Sequence, residues 1–372
     1  MRRACWTIIF LVAVTACTDP YHLPAGAAAT SVLVVDGAVY AGSDSTTIRL
    51  TRSKSFSDSS VTPLELGARV VLEAQSGGGT YPFTELGNGY YGVPSLNLAA
   101  GANYRLDITL ASGKQYLSDY VPLVASPPID SITYQEVPGT KVTICANTHD
   151  PANKTHYYLW SYVETYEYHT PYNSPAIVVG DNLVPRDTPV NVCYRTLSST
   201  DILVGSSASL GADVISEAPL ETIFAFSQKL TVEYSTLVTQ IALTRDAYAY
   251  WQNMQTNSEN LGSIFGPQPF QADGNIHSVS NPQEEVVGYV SVSTPARQRV
   301  FINNGQLHRW IPVQSCAIAV DDLDSVPPHL FFDQPAILYI GMRNPSHWLA
   351  TFGDCADCRF DGGTVIKPSF WP

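Results

Sequence analysis

The stretch His156–His169 (HYYLWSYVETYEYH) constrains the fold more than any other part of this chain. Read with a period of two, one face carries Tyr158, Trp160, Tyr162, Glu164, Tyr166 and Tyr168. The other carries Tyr157, Leu159, Ser161, Val163, Thr165 and Glu167. A strand of this length needs a sheet around it. Its aromatic face either packs under a second layer, with tyrosine hydroxyls reaching the edge, or lies open as a stacking platform for a sugar or peptide. Tyr158, Trp160, Tyr162, Tyr166 and Tyr168 are therefore the candidate ligand-facing aromatics, interrupted by the single carboxylate of Glu164.

The chain around this strand is also patterned for sheet. Three methionines stand against 21 tyrosines, and charged residues are only 14% against 45% hydrophobic, a composition suited to packed strands. Ser31–Tyr40, Thr46–Arg52 and Ala68–Ala74 alternate, separated by Gly, Ser and Asp. Ser76–Gly79 and Gly87-Asn88-Gly89 supply hairpin turns. Tyr104–Leu110 and Tyr116–Pro122 complete another hairpin around Gly113. Short strands at this spacing predict a β-sandwich of immunoglobulin-like or transthyretin-like kind over residues 31–126. Ser126-Pro127-Pro128 then interrupts the ladder, because proline cannot donate to it.

Residues 127–372 are expected to form a larger β-rich domain with one packed helix. Strands are predicted near Val190–Thr196, Thr222–Tyr234, Val286–Val292 and Arg299–Ile302. Thr244 reads as the N-cap of a helix from Arg245 to about Asn260, with Gly262 beyond its end. Ala247, Tyr248, Trp251, Met254 and Gln255 share the face that would pack on the sheet. A Pro/Gly loop follows at Gly266–Asn275, and the tail from Thr351 reads as loop. The fold class is mainly β.

The first residues set the address rather than the fold. Arg2 and Arg3 precede a short apolar run, Trp6–Val14, and Val14-Thr15-Ala16 lead to Cys17. This is a secretory signal too short to span a bilayer, and its ending resembles a bacterial lipobox. That resemblance implies cleavage after residue 16 and acylation of Cys17, so that the lipid bilayer is a partner through Cys17. Residues 17–30 then form a tether. The formal net charge is −13, and removing a leader with two arginines and no acids leaves −15. Such a body disfavours nucleic acid.

Five cysteines remain after Cys5 and Cys17 are set aside: Cys145, Cys193, Cys316, Cys355 and Cys358. An odd number in an oxidising compartment leaves one thiol over. A direct 355–358 bond would close a very small loop and remove little unfolded-state entropy. Bonds from this pair to Cys193 and Cys316 would staple the tail to the sheet, with the connectivity open. The Cys-x-x-Cys spacing lacks the following helix of a redox motif and the second close pair of a zinc site.

Several ordered segments resemble one known family: Leu33–Gly37, Pro127–Ser131, Tyr157–Trp160 with Glu164–Tyr168, Tyr234-Ser235 with Gln240, and Tyr248–Trp251. Gly262–Phe265, Gly274–Ile276, Val287–Tyr289 and the ending Cys355–Arg359, Gly362–Thr364, Lys367-Pro368 and Phe370-Trp371 continue the match. The chain resembles the Bacteroidetes lipoprotein family catalogued as domain of unknown function 4249. The resemblance implies an outer-membrane lipoprotein, commonly encoded near TonB-dependent transporters, and supplies no catalytic residue. Cys145 lies outside the recurring motifs, which makes it the candidate free thiol.

No nucleophile elbow, zinc-helix motif or phosphate loop is present in the sequence. The eight histidines show no metal-ligand spacing, and His149-Asp150 with His156 read as a surface loop. Asp321, Asp322 and Asp324 read as a solvated acidic turn without an EF-hand's ligand order. Asp130-Ser131-Ile132 and Asp324-Ser325-Val326 match a short glycosylation signal only at chance level. No catalytic residue, metal or cofactor is expected, and the chain is read as non-enzymatic. The expectation is an accessory or substrate-binding lipoprotein of a TonB-dependent nutrient uptake system, lipid-anchored in the cell outer membrane, with a TonB-dependent transporter as partner. The alternatives are a surface glycan or peptide hydrolase, which would need facing carboxylates or a nucleophile on a histidine, and a structural or adhesive envelope protein.

Overall fold

A computed structural model describes residues 31–54, 60–179, 182–259, 274–310, 316, 318–322, 337–344 and 347–372. The leader, the tether, Cys17, Gly262, most of the loop at 266–275 and Asp324–Val326 lie outside the described residues. Within them the chain is mainly β, as its alternation predicts. No helix there is long and apolar enough to cross a membrane.

Two sheets face each other in the first unit. One has the order Val286–Val287, Leu33–Asp36, Thr46–Arg52, Tyr90–Val93, Thr84–Gly87. The other runs Val39–Tyr40, Val292–Thr294, Val121–Ala125, Asn103–Thr109, Arg69–Ala74, Thr80–Pro82, with Gln115–Ser118 and Ile276–Ser278 attached. Leu33, Ile48, Leu50 and Tyr91 from the first sheet meet Leu72, Leu106, Ile108 and Tyr116 from the second in one buried core.

The expected boundary at residue 126 is corrected by this topology. Ile276, Val290 and Val292 are buried in the same core, so the sandwich is completed by a segment that begins 148 residues after Pro128. Two predicted strands also divide. Ser31–Tyr40 becomes Leu33–Asp36 and Val39–Tyr40 in different sheets, and Val286–Val292 becomes Val286–Val287 and Val292–Thr294 in the same two sheets. The two segments run side by side in parallel through both layers. Each crosses at a glycine with positive φ, Gly37 at 130° and Gly288 at 149°. A Cβ at Gly37 would lie 2.5 Å from the Thr47 carbonyl oxygen, and one at Gly288 would lie 2.4 Å from that of Val35. Only glycine permits both the angle and the approach.

The second unit packs a three-stranded sheet, Ile129–Val137, Lys141–His149 and Val214–Phe224, against a five-stranded one. In the latter, Tyr157–His169 is central. It pairs with Glu233–Ala242 along ten residues on one side, and with Leu203–Ser206 and Val192–Ser198 in turn on the other. Ala296–Asn303 adds beyond Glu233–Ala242. The predicted strand Thr222–Tyr234 is corrected: it spans the end of one strand, a turn through Lys229 and Leu230, and the start of a strand in the opposite sheet. Leu230 is fully buried at φ 63°, so a local apolar pattern ran unbroken through a turn. Asp321 and Asp322 are corrected from a turn to a strand, Ile318–Asp322, paired with His347–Phe352.

The helix Arg245–Glu259 begins as expected, with the Ala247 N–H donating to Thr244 Oγ1 at 3.2 Å. Ala247, Tyr248 and Trp251 pack against Tyr157, Leu159 and Ile241 of the sheet and Tyr40 of the sandwich. Thr244→Ala is expected to lower stability by about 1 kcal/mol, the usual cost of losing a cap. Urea unfolding of the purified chain measures it, and an unchanged midpoint would remove the cap from the account.

Candidate functional site

The aromatic face of the central strand is interior. Tyr158, Trp160, Tyr162, Tyr166 and Tyr168 are all buried among Val142, Ile144, Leu220 and Val238, so the reading of these five as ligand-facing is corrected. Large rings on one strand face match the depth needed between two sheets, and their hydroxyls find partners at the edges. Tyr158 donates to the Asp213 carboxylate, and Trp160 Nε1 donates to Gln240 Oε1 at 2.8 Å. Tyr168 donates to the Cys358 carbonyl at 2.5 Å, and burial pushes its own pKa up to about 12.

Glu164, on this same face, is 3% exposed. Its Oε1 lies 2.6 Å from Lys229 Nζ, which lies 2.6 Å from Glu221 Oε1. Tyr234 donates to Glu221 Oε2 at 2.7 Å. Glu164 Oε2 has no hydrogen-bond partner among the described residues. Burial, and then the nearby Glu221 charge, hold the Glu164 carboxyl above the usual carboxylate range. Lys229 stands amid a predicted strand in the sequence, and nothing in its spacing from Glu164 announced this contact.

A serine on a histidine is also present. His156 Nδ1 lies 3.2 Å from Ser207 Oγ, while Ser207 donates its own proton to Asp213. A hydrolytic triad has the order carboxylate, histidine, nucleophile. Here the serine sits in the middle, and both Ser207 and Asp213 are buried. Asn153 Oδ1 accepts from the Asp213 N–H at 2.6 Å, and Asp150 accepts from the N–H groups of Ala152, Lys154 and Thr155. The cluster pins two loops together. His149 is held apart from it, on Asp130 at 2.8 Å. Among the described residues no group of three or more His, Cys, Asp or Glu side chains is placed to hold a metal ion.

The close cysteine pair reaches outward, as the loop-size argument prefers, and the structure settles the pairing: Cys193 with Cys358 and Cys316 with Cys355. Cys145 is free and buried, and burial raises its thiol pKa.

The opposite face of the five-stranded sheet is where open surface lies. Its register sets Ser161 beside Thr239 and Arg297 in one row. The next row is Ser198, Val163, Leu237 and Arg299. The helix covers one end of this face. The C-terminal tail covers the other, with Trp371 edge-on to Tyr194 and Phe301 and donating to Glu167 Oε2 at 3.2 Å. Beneath the tail Thr165 and Ser235 are fully buried, whereas Ser161 and Val163 are exposed. The result is a trough. At its helical end it deepens into a cleft of about 140 Å³ lined by Asp36 and Tyr40 of the sandwich, Leu159, Ser161 and Thr239 of the sheet, and Trp251 of the helix. Two aromatic rings, hydroxyls and one exposed carboxylate suit a small ring or chain with polar substituents.

A two-domain fibronectin type III segment from chicken tenascin is similar over 57% of this chain and 90% of that chain, at 14% identity and a TM-score of 0.16. Chitinase ChiA74 from Bacillus thuringiensis is similar over 53% of this chain and 29% of that chain, at 10% identity and a TM-score of 0.16. Superpositions this loose say nothing about the cleft. No curated protein matches the chain. The family described as Domain of unknown function (DUF4249) matches residues 18–299, most of the chain, and the protein belongs to that family.

Proposed function

We propose that this chain is a lipid-anchored, non-enzymatic binding protein of the outer membrane that holds a small ligand for a TonB-dependent transporter. The observation that carries the reading is the cleft where sandwich, helix and sheet meet, with Tyr40 and Trp251 over a floor of Ser161 and Thr239. Ligand sites favour such junctions between packed units, where concave apolar walls carry a few polar groups. The Cys17 lipobox supports the address, and the family resemblance supports the transporter as partner. A surface hydrolase is the second reading, favoured by the contact between His156 and Ser207. The carboxylate on the serine, and the burial of both, weigh against it.

The test is a gentle detergent pull-down of the tagged, lipidated protein from its own outer membrane, alongside Cys17→Ala and Trp251→Ala. The full chain is expected to bring down one TonB-dependent transporter and to start at an acylated Cys17. Cys17→Ala should leave the membrane fraction. Trp251→Ala should keep the transporter but lose the small-molecule cargo found by mass spectrometry. Recovery of the protein alone, with known outer-membrane complexes intact, would overturn the uptake role.

A further inference from the structure

We propose that Arg299 is an anion-recognition residue where this trough meets the C-terminal tail, so that the ligand carries a carboxylate. The inference rests on the binding reading above and adds the chemical class of the ligand. Arg299 shares a face with the cleft floor: Leu237 lies opposite it, and Thr239, which lines the cleft, is the next residue on that face. The Arg299 guanidinium reaches back to Ser235, and the four strand residues from Ser235 to Thr239 span about 13 Å. A carboxylate on Arg299 would therefore belong to the far end of a ligand of about two sugar or peptide units whose other end lies under Trp251.

The guanidinium is held in place but, among the described residues, left without a counter-charge. Its Nη1 donates to Ser235 Oγ at 3.0 Å, and its Cζ lies 3.7 Å from the centroid of the Phe370 ring. Ser235 is fully buried, so the anchor cannot move far. Among the described residues no carboxylate lies within ion-pair distance of Arg299, and its Nε and Nη2 make no hydrogen bond. Arg297, one row away, differs: its Nη1 lies 2.6 Å from Asp44 Oδ1. Burial without a compensating acid lowers the Arg299 pKa. The Phe370 ring offsets part of that penalty, as aromatic faces attract cations. A half-buried, pre-oriented fork with its Nε and Nη2 edge unused matches the two oxygens of a carboxylate. The chain carries a net charge of −13, against which an arginine with no acid partner among the described residues stands out.

The shared chemistry is a carboxylate beside a ring or short chain, and it can come from a uronic acid or from a peptide terminus. Titration calorimetry on the intact chain separates them with two matched pairs: digalacturonate against its dimethyl ester, and Ala-Phe dipeptide against its C-terminal amide. In one pair the acid is expected to bind about tenfold more tightly than its neutral partner, a size typical of a charge-assisted bidentate contact. Arg299→Gln should abolish that preference and leave the neutral probe's affinity unchanged. Arg299→Lys keeps the charge but not the planar fork, and should fall between, with melting curves confirming that both variants fold. Preference in the sugar pair assigns a uronate, and preference in the peptide pair assigns a peptide terminus. Equal binding of acid and neutral probes, or a preference that survives Arg299→Gln, overturns the arginine assignment while the cleft reading stands. Binding of no probe overturns both.

Discussion

Replacing Lys229 with methionine is expected to destabilise the protein by about 3–5 kcal/mol at neutral pH, because it strands the buried carboxylate of Glu164 beside the partly buried one of Glu221. Glu164 is 3% exposed, and Lys229 is the only cation placed on it among the described residues. In the wild type, burial pulls the Lys229 ammonium down while Glu164 and Glu221 more than compensate, leaving its pKa raised. That raised pKa contributes stability throughout the range below the lysine's ordinary value. Glu164 works the other way. Its carboxyl is raised above the usual value of 4.5 by burial and by Glu221, so its ionisation opposes folding as pH rises through the raised value. Without Lys229 that opposition grows. The deficit of the variant should be largest near pH 7 and shrink as the pH falls toward the ordinary carboxylate range, where Glu164 binds its proton. Urea unfolding between pH 5 and pH 8 reads both quantities. Adding Glu164→Gln to Lys229→Met should recover a large part of the loss, since the two sites are in direct contact. A deficit below about 1 kcal/mol with no pH dependence would show that the triad relaxes into water.

Removing the bond between Cys193 and Cys358 by a double change to alanine is expected to cost at least about 5 kcal/mol. The bridge spans 165 residues, and the entropy of closing a loop of that length in the unfolded chain corresponds to roughly 5 kcal/mol at 25 °C. Cys193 and Cys358 are fully buried in the second core, so their cavity adds to the loss. Structure should be lost from the tail inward. Tyr168 donates to the Cys358 carbonyl, and Trp371 packs on Tyr194, next to Cys193 in the strand. Differential scanning calorimetry should show a melting temperature lower by roughly 10 °C. Hydrogen exchange should rise first in residues 353–372. A double variant that melts within about 2 °C of the wild type would mean that the tail is held by packing alone. The bridge between Cys316 and Cys355 spans 39 residues, and its loss should cost less by the same reasoning.

Local pattern carried much of the secondary structure. Tyr157–His169 is one strand, the helix begins after Thr244, and the close cysteine pair points to two distant partners. These features depend on neighbours in sequence: a period of two, a capping side chain, a loop too small to be worth closing. The aromatic face was legible as a face, but not as an interior one. Alternation states which residues go together and leaves open which layer covers them. Lys229 and Arg299 were invisible as site residues for a related reason, since each owes its setting to residues dozens of positions away: Glu164 for one, Ser235 and Phe370 for the other.

By itself the sequence determined that this is a mainly β chain, that Glu164 shares a side of its strand with five aromatics, and that the tail is to be stapled back by cysteines. Only the tertiary structure decided that residues 276–294 complete the N-terminal sandwich, that the tyrosines face inward, and that a cleft opens where Asp36, Ser161 and Trp251 converge. The reason is the range of the forces involved. Periodicity and turn chemistry act over a few residues and are written into adjacent positions. Parallel pairing, sheet stacking and the desolvation of a charge join segments whose separation along the chain leaves no local mark.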